Sequence, residues 1–304
     1  MTSIFAKIMI KQLLKNRDLK ADLKDVEEFR KFFENMVSKV KPAKGIDLEE
    51  IQIGDIPAEK HSSRSKDSRL IMLYLHGGGY FFGSYVAYRG FVSKLCKELR
   101  LQHAYCINYQ LAPENPYPAG LDDAFFTYKW MLEEKSIPAE NIIIMGDSAG
   151  GGLTLALLHR IGKQNLPKPK AAICLSPWTD MTFTSKTLVT KKEEAPFFCI
   201  ENIKTAAFAY MNSHDPKNPE ISPMFADFNG FPPVFLQVGT RELLLDDSLV
   251  IAEKMKKNGV PVTLDVHEGM FHAFLAMMGF MPFRQLVPEF KRALKYVKKF
   301  VEDL

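Results

Sequence analysis

The chain has 304 residues, 46% of them apolar and 25% charged, which is the composition of a globular protein large enough for a substantial core. Its net charge of +4 comes from 40 basic and 36 acidic residues spread along the chain, so nucleic acid is excluded as a partner. No apolar run approaches the roughly 18 residues of a membrane span, and we expect no stable membrane insertion.

The four cysteines indicate a reducing compartment. They lie far apart in apolar surroundings and form no C-x-x-C pair, which is typical of small buried side chains. Lys7, Lys11 and Lys15 interrupt the apolar stretch that a secretion signal needs, and no N-x-S/T glycosylation motif occurs. We therefore predict a cytoplasmic protein. The cysteines are Cys96, Cys106, Cys174 and Cys199.

The first forty residues have apolar positions at a spacing of three and four, as in VEEFRKFFENMV at residues 26–37. This pattern predicts one or two amphipathic helices. We expect them to pack on the body of this protein, and an alternative in which they lie against a partner or a membrane stays open.

From residue 47 onward, strand and helix patterns alternate along the chain. Because parallel strands need crossover connections that helices supply, this alternation predicts an α/β fold around a mainly parallel sheet. A polar loop is predicted at residues 61–69. The predicted strands are 47–53, 69–75, 103–109, 141–146, 171–176, 234–239 and 262–267, and the predicted helices are 87–99, 119–135, 149–161, 246–257 and 283–300.

One segment, residues 181–218, shows no strand pattern and contains apolar residues at helical spacing. We interpret it as a helical insertion. Insertions at the carboxyl edge of such a sheet commonly cover the functional site.

The segment IIIMGDSAGGG places Ser148 on the turn between a predicted strand and a predicted helix. In a sharp turn of this kind, the residues two before and two after the serine must lack side chains, and here they are Gly146 and Gly150. The turn lifts the serine hydroxyl to the start of a helix, where N–H groups favour negative charge. Ser148 is therefore the candidate nucleophile. A phosphate-binding loop is disfavoured because neither G-x-G-x-x-G nor G-x-x-x-x-G-K-S/T occurs.

Three successive glycines, Gly77 to Gly79, follow His76 and a dense apolar strand. Glycines expose backbone amides, and a tetrahedral intermediate needs N–H donors at its oxyanion. With the amide of Ala149, this loop can supply them. A close-packed turn without a catalytic role is the alternative.

A serine nucleophile needs a histidine base. Where the serine lies on a strand-to-helix turn of this kind, the base follows it in the chain. Of the downstream histidines, His159 falls within a helix and His214 in a polar loop, so we expect both at the surface. His267 ends a predicted strand, whereas His272 lies in the loop after it and can reach over the sheet edge. We therefore predict His272. A zinc pair of His267 and His272 is disfavoured because their spacing is five residues instead of four, and we expect no metal or other cofactor.

Three blocks of the sequence together resemble a known family: HGGGY from His76, NYQLAPENPYPAGLDDA from Asn108 and GDSAGGG from Gly146. They resemble the signature blocks of the hormone-sensitive-lipase-like carboxylesterases, the bacterial family IV branch of the α/β-hydrolase fold. The resemblance implies one domain over residues 1–304, with a mainly parallel eight-stranded sheet flanked by helices. It also implies a helical cap from residues 1–42 and about 181–218.

The same resemblance implies roles for individual residues. Gly78, Gly79 and Ala149 correspond to the oxyanion donors of the family, and Gly269 to Phe274 fit its Gly-x-x-His-x-Phe pattern. One departure is Gln110, which stands where the family usually has arginine, so a structural ion pair is predicted to be missing.

The third member of the triad also follows from the resemblance. The family's usual Asp-Pro-Leu-x-Asp-Asp run aligns with residues 242–247, and its first aspartate falls on Glu242. A glutamate is one methylene longer but can make the same hydrogen bond to the imidazole. Asp246 is the alternative acid; its other role is to place negative charge at the start of the next helix.

These residues together predict a serine carboxylesterase that works through an acyl-enzyme, and the resemblance implies short- to medium-chain acyl esters as substrates. A ligand-binding protein without catalysis on the same fold is the main alternative, and lactone, thioester or peptide substrates stay open, as does a homodimer. Seven aromatic residues are candidates for an apolar acyl pocket or, alternatively, for the core. They are Tyr80, Phe81, Phe82, Phe197, Phe198, Phe208 and Phe271.

Overall fold

A computed structural model describes residues 2–15, 26–37, 40–64, 68–196, 198–279 and 287–304. Its centre is an eight-stranded sheet with the spatial order β1-β2-β4-β3-β5-β6-β7-β8. The strands are β1 (Ile46–Ile53), β2 (Ile56–Ser63), β3 (Ile71–Leu75), β4 (His103–Ile107), β5 (Ile142–Asp147), β6 (Ala171–Leu175), β7 (Val234–Arg241) and β8 (Val262–Phe271).

Helices surround the sheet and follow most of its strands in the chain. They are α1 (Ile4–Lys15), α2 (Val26–Val37), α3 (Tyr85–Glu98), α4 (Ala119–Glu133), α5 (Ala149–Lys163), α6 (Thr187–Thr190), α7 (Ile200–Met211), α8 (Leu245–Lys257), α9 (Phe274–Gly279) and α10 (Pro288–Glu302). The predicted start of the last helix at residue 283 lies outside the described residues. Within the described ranges, no helix combines the length and the apolar character needed to cross a membrane.

The sheet is parallel from β4 to β8, while β1 and β2 are antiparallel to their neighbours. The central strands β3, β5 and β6 are buried at every position, as expected for strands that helices cover on both faces. The predicted α/β fold with a mainly parallel sheet is confirmed.

Strand β2 corrects the sequence analysis, which assigned residues 61–69 to a polar loop and contained no strand at 56–63. The pattern is obscured because two of its inward positions carry the ionisable residues Glu59 and His61, both fully buried. Arg89 of α3 donates a hydrogen bond to the Glu59 carboxylate at 2.6 Å, which allows that charge inside. Residues 65–67 of the predicted loop lie outside the described residues.

Cys96, Cys106 and Cys174 are buried free thiols, as predicted. Cys199 is only partly buried, which corrects the prediction for this residue. It precedes helix α7, and its thiol lies 2.9 Å from Asn202 Oδ1 in the first turn. Cys199 therefore caps a helix instead of filling the core.

The carboxyl ends of five strands meet at one edge of the sheet, and each is followed at once by a polar residue. Because the strands are parallel, these residues are brought close together. They are His76 after β3, Ser148 after β5, Ser176 after β6, Glu242 after β7 and His272 after β8.

Candidate active site

The turn between β5 and α5 holds Ser148 in a strained conformation, with φ of 53°. Left-handed backbone is rare for a residue with a side chain and persists only where the surroundings impose it. A Cβ at Gly146 would overlap the carbonyl oxygen of Gly150, and one at Gly150 would overlap the carbonyl oxygen of Leu75. Both glycines are therefore required for the close approach of strand and helix at this turn.

Ser148, His272 and Glu242 form a continuous hydrogen-bonded chain. Ser148 Oγ lies 2.8 Å from His272 Nε2, and His272 Nδ1 lies 2.7 Å from Glu242 Oε2. A carboxylate only accepts hydrogen bonds, so Nδ1 carries the proton and Nε2 presents its lone pair to the serine hydroxyl. This is the arrangement that a general base needs.

Burial differs along this chain of groups. Glu242 is 0% exposed, His272 is 6% exposed and Ser148 is 9% exposed, so only the nucleophile end approaches solvent. A buried carboxylate needs hydrogen bonds in place of water. Glu242 Oε1 receives them from the Gly239 amide and the Ser176 hydroxyl, each at 2.8 Å.

Asp246, the alternative acid, makes different contacts. Its carboxylate accepts the Thr187 amide at 3.1 Å, and its own amide donates to the Thr187 hydroxyl at 3.1 Å. It also lies in the acidic first turn of α8. The contacts of Asp246 therefore join α8 to α6. The carboxylate that lies next to the His272 imidazole is that of Glu242.

The loop after β3 faces the start of α5. Gly78 and Gly79 have φ of 122° and 62°, values that favour glycine. Among the described residues, no protein group accepts a hydrogen bond from the amides of Gly78, Gly79 or Ala149. Their N–H groups are thus available to an oxyanion.

His76 fixes this loop from inside. Its Nδ1 donates to the Gly77 carbonyl oxygen at 2.9 Å, and its ring stacks on Tyr109 with centroids 4.3 Å apart. Burial lowers the pKa of His76 to about 4, although the Gly77 hydrogen bond acts the other way, so the ring is neutral near pH 7. Because a trans peptide directs its C=O and N–H oppositely, holding the Gly77 carbonyl also sets the direction of the Gly78 amide.

Asp147, directly before the nucleophile, was not singled out from the sequence. Its Oδ1 accepts Tyr74 Oη at 2.7 Å and the Gly77 amide at 3.0 Å, and its Oδ2 accepts Tyr88 Oη at 2.9 Å. Burial raises the pKa of Asp147 against these hydrogen bonds. The carboxylate therefore ties the glycine loop to the nucleophile turn; an acid inside a buried strand end was the available signal.

Two of the candidate pocket residues contact the residues around the site. Tyr80 stacks on Tyr210 of α7 with centroids 3.8 Å apart, and it lies 6.0 Å from the Trp178 ring. Phe198 lies edge-on to His272 with centroids 5.6 Å apart. These contacts put aromatic surface beside both the glycine loop and the base.

The other candidates are distributed differently. Phe82 contacts Phe81 at 5.0 Å and Phe33 of α2 at 4.8 Å between centroids. Phe271 is fully buried near Phe274, whereas Phe208 is 61% exposed and contacts Phe183. Phe197 lies outside the described residues. A pocket role for these residues stays a prediction.

The remaining downstream histidines lie away from the serine. His214 is exposed as predicted, but His159 is buried, which corrects its assignment to the surface. His159 lies in α5, and the backbone at Asp227 offers its ring a hydrogen bond. His267 pairs with Asp265 at 2.7 Å. In the described part of the chain, no cluster of His, Cys, Asp or Glu is arranged to hold a metal ion.

Comparison with known proteins identifies the family. A profile of the α/β-hydrolase fold family matches residues 72–276. The chain is 32% identical to an esterase of Acinetobacter venetianus over 260 residues, which are 85% of this chain and 83% of that esterase. It is also 32% identical to an acetyl-hydrolase of Streptomyces hygroscopicus over 251 residues, 83% of this chain and 81% of the relative.

Solved structures extend the likeness over nearly the whole chain. An esterase from the bacterial hormone-sensitive lipase family has a TM-score of 0.90 and 30% identity, covering 100% of this chain and 99% of that one. The esterase EstE5, soaked with p-nitrophenyl butyrate, has a TM-score of 0.90 and 34% identity, covering 99% and 98%. The chain belongs to the α/β-hydrolase family, in the branch of bacterial hormone-sensitive-lipase-like esterases.

Proposed function

We propose that this carboxylesterase hydrolyses short- to medium-chain acyl esters, with Ser148 as nucleophile, His272 as base and Glu242 as the acid of the triad. One observation carries the assignment of residues: the imidazole of His272 lies within hydrogen-bond distance of both the Ser148 hydroxyl, at 2.8 Å, and the Glu242 carboxylate, at 2.7 Å. The esterase and acetyl-hydrolase relatives support the reaction class.

In the first half-reaction, Ser148 Oγ attacks the ester carbonyl carbon while its proton moves to His272 Nε2. The amides of Gly78, Gly79 and Ala149 bind the oxygen that becomes negative. Glu242 accepts the Nδ1–H and stabilises the imidazolium. The C–O bond to the alcohol then breaks, His272 gives its proton to the leaving oxygen, and an acyl-serine remains.

In the second half-reaction, a water molecule takes the place of the alcohol. His272 removes one of its protons as the oxygen attacks the acyl carbon, and the same three amides bind the second oxyanion. The bond to Ser148 Oγ breaks, and His272 returns the proton to that oxygen. The carboxylic acid leaves, and no metal or organic cofactor takes part in any step.

In our proposal the cap of this single domain comes from residues 1–42 and about 181–218, of which residues 1, 16–25, 38–39 and 197 lie outside the described ranges. Arg30 of α2 supports it, because its guanidinium donates to the carbonyl oxygens of Phe81 at 2.7 Å and Ala112 at 2.9 Å and pairs with Glu114. The stacking of Tyr210 on Tyr80 supports it from the second segment. Both segments thus contact the loop that carries the oxyanion donors.

Substrates of limited size fit the surroundings of the nucleophile. Tyr80 is 2% exposed and its hydroxyl lies close to Gly152, one turn along α5 from Ser148. Trp178 and Tyr210 contact the Tyr80 ring, so aromatic side chains fill this side of the nucleophile helix. EstE5, the relative soaked with p-nitrophenyl butyrate, is consistent with a short acyl group.

For the compartment and assembly we propose a cytoplasmic enzyme, on the basis of its four free thiols. A homodimer stays a prediction that sedimentation of the purified protein tests.

A series of p-nitrophenyl esters tests the proposed function. We expect the highest kcat/KM on acetate, butyrate or octanoate and a steep fall at palmitate, with the Ser148→Ala variant as the blank. Highest activity on emulsified palmitate would contradict the substrate class. Hydrolysis no faster than the Ser148→Ala blank on every ester would contradict the enzyme.

A further inference from the structure

A second serine, Ser176, lies behind the candidate triad and has no part in the steps above. It follows β6 and is 1% exposed. Its Oγ lies 2.8 Å from Glu242 Oε1 and 2.9 Å from the amide nitrogen of Ala273, the residue after His272. One hydroxyl thus joins the acid to the backbone next to the base.

The direction of these hydrogen bonds follows from the number of protons. An amide nitrogen can only donate, so Ser176 Oγ accepts from Ala273. The single hydroxyl proton is then directed to Glu242 Oε1. We propose that Ser176 is a positioning residue of the esterase, which orients the Glu242 carboxylate and the His272 loop together; the proposal rests on the triad of the proposed function.

Glu242 needs such a partner more than an aspartate would. Its longer side chain has one more rotatable bond, and ordering that bond costs conformational entropy. Two donors, Ser176 and the Gly239 amide, hold Oε1 at 2.8 Å each, which leaves Oε2 directed at His272. Without the hydroxyl, the carboxylate keeps one backbone donor on Oε1 and can rotate about it.

The two residues joined by the hydrogen bond from the Ala273 amide to the Ser176 hydroxyl both have left-handed backbone. Ser176 and Ala273 each have φ of 46°, which is unfavourable for residues with a Cβ. Such conformations persist where hydrogen bonds and neighbours impose them, and they cluster at functional sites. Removing the Ser176 hydroxyl would leave the buried Ala273 N–H without an acceptor and would also take a donor from the Glu242 carboxylate.

Ser176→Ala removes the hydroxyl and keeps the Cβ. We expect kcat on p-nitrophenyl butyrate to fall about 10- to 100-fold, because a hydrogen bond to a charged group is lost, with KM within about twofold. Glu242→Gln provides the second variant. In that background we expect Ser176→Ala to lower kcat by less than about threefold, because the carboxylate that the hydroxyl orients is gone.

Ser93→Ala is the matched control. Ser93 is likewise buried, and its Oγ accepts the Ala43 amide at 2.9 Å and donates to the Gly90 carbonyl at 3.1 Å, but it lies in α3. We expect this variant to lose thermal stability comparable to that of Ser176→Ala while kcat stays near wild type.

Three results would overturn the proposal: an unchanged kcat in Ser176→Ala, an equal loss in the Glu242→Gln background, or an equal loss of kcat in Ser93→Ala. Failure of the proposed function looks different. In that case wild type itself would be no faster than Ser148→Ala, whereas failure of this proposal alone leaves wild type active and Ser148→Ala inactive.

Discussion

Two buried histidine–glutamate pairs lie at different places on the sheet and serve different purposes. His272 and Glu242 lie at the carboxyl edge, 2.7 Å apart, and the second ring nitrogen of His272 faces Ser148. His61 and Glu59 lie within β2, 3.0 Å apart and fully buried, and Arg89 holds the same carboxylate. Both pairs contain the same two residue types.

The difference lies in what completes each pair. In the described structure, neither ring nitrogen of His61 has a hydrogen-bond partner, although Nε2 lies 3.0 Å from Glu59 Oε1, and Arg89 neutralises the Glu59 carboxylate. The other pair has a strained, partly accessible serine at its open end. In our proposal, position at the sheet edge, beside a serine, is what distinguishes the catalytic pair from the structural one.

The largest expected effect compares the two histidines. We expect His272→Ala to lower kcat about 10³-fold or more, because the base is lost. The loss of thermal stability is smaller than in His61→Ala, because Glu242 keeps its donors Ser176 and Gly239. His61→Ala leaves a cavity and an underpaired carboxylate in the core, so we expect lower stability but nearly normal kcat per folded molecule. Thermal melts and active-site titration separate the two effects. The comparison would be contradicted if His61→Ala lost kcat per folded molecule and His272→Ala kept it.

The acids give the next effect. We expect Glu242→Gln to lower kcat by about 10²-fold or more, because the imidazolium loses its charged partner. Asp246→Asn, which alters the contact with Thr187 and the charge in the first turn of α8, is expected to retain kcat within about threefold. Steady-state kinetics on one short ester decides this, and a larger loss in Asp246→Asn than in Glu242→Gln would transfer the role to Asp246.

Removing the cation of the structural pair affects folding alone. Arg89→Met leaves the Glu59 charge buried with only His61, and we expect a loss of about 3 kcal/mol in the free energy of unfolding. Denaturant titration measures it, with kcat as the internal control. A variant as stable as wild type would show that Arg89 is dispensable to the β2 cluster.

The acid stability of the protein sharpens the comparison further. Burial alone would raise the pKa of Glu59, but hydrogen bonds and charge from His61 and Arg89 hold it below the ordinary value of 4.5. A lowered folded-state pKa stabilises the fold above that ordinary value, and the stability is lost as pH falls through the folded-state pKa. We expect wild type to lose stability more steeply than Glu59→Gln below about pH 4.5. Parallel curves in denaturant titrations at each pH would contradict this.

The smallest effect concerns a carboxylate with a neutral partner. Gln110 donates two hydrogen bonds to the Asp123 carboxylate, from its backbone N–H at 2.7 Å and from its side-chain Nε2 at 3.2 Å. Burial raises the pKa of Asp123. Gln110→Arg would supply a cation there, so we expect the melting temperature to rise by about 1–3 °C. A lower melting temperature would mean that the arginine does not fit.

Much of this molecule follows from local sequence patterns. The apolar runs before Ser148 and His76 predicted the central strands. The glycines on either side of the serine predicted a sharp turn from strand to helix. The family's Asp-Pro-Leu-x-Asp-Asp run, aligned with residues 242–247, predicted Glu242 as the acid. These features are readable because each depends on neighbours in the chain.

Other features depend on contacts between distant segments. Strand β2 was missed because Glu59 and His61 interrupt its apolar pattern, and Arg89, which compensates for their burial, is 30 residues further on. His159 was assigned to the surface because a helix pattern does not reveal that the backbone at Asp227, 68 residues further on, reaches its ring. Ser176 and Asp147 acquire roles only when parallel strands bring their ends together.

The most direct test of the central claim is labelling with a fluorophosphonate, followed by peptide mapping. We expect one adduct per active wild-type molecule, located on Ser148, no adduct in Ser148→Ala, and labelling of His272→Ala slowed by about 100-fold or more. An ester-hydrolysing wild-type protein that stays unlabelled, or that carries the adduct on another side chain, would contradict the account.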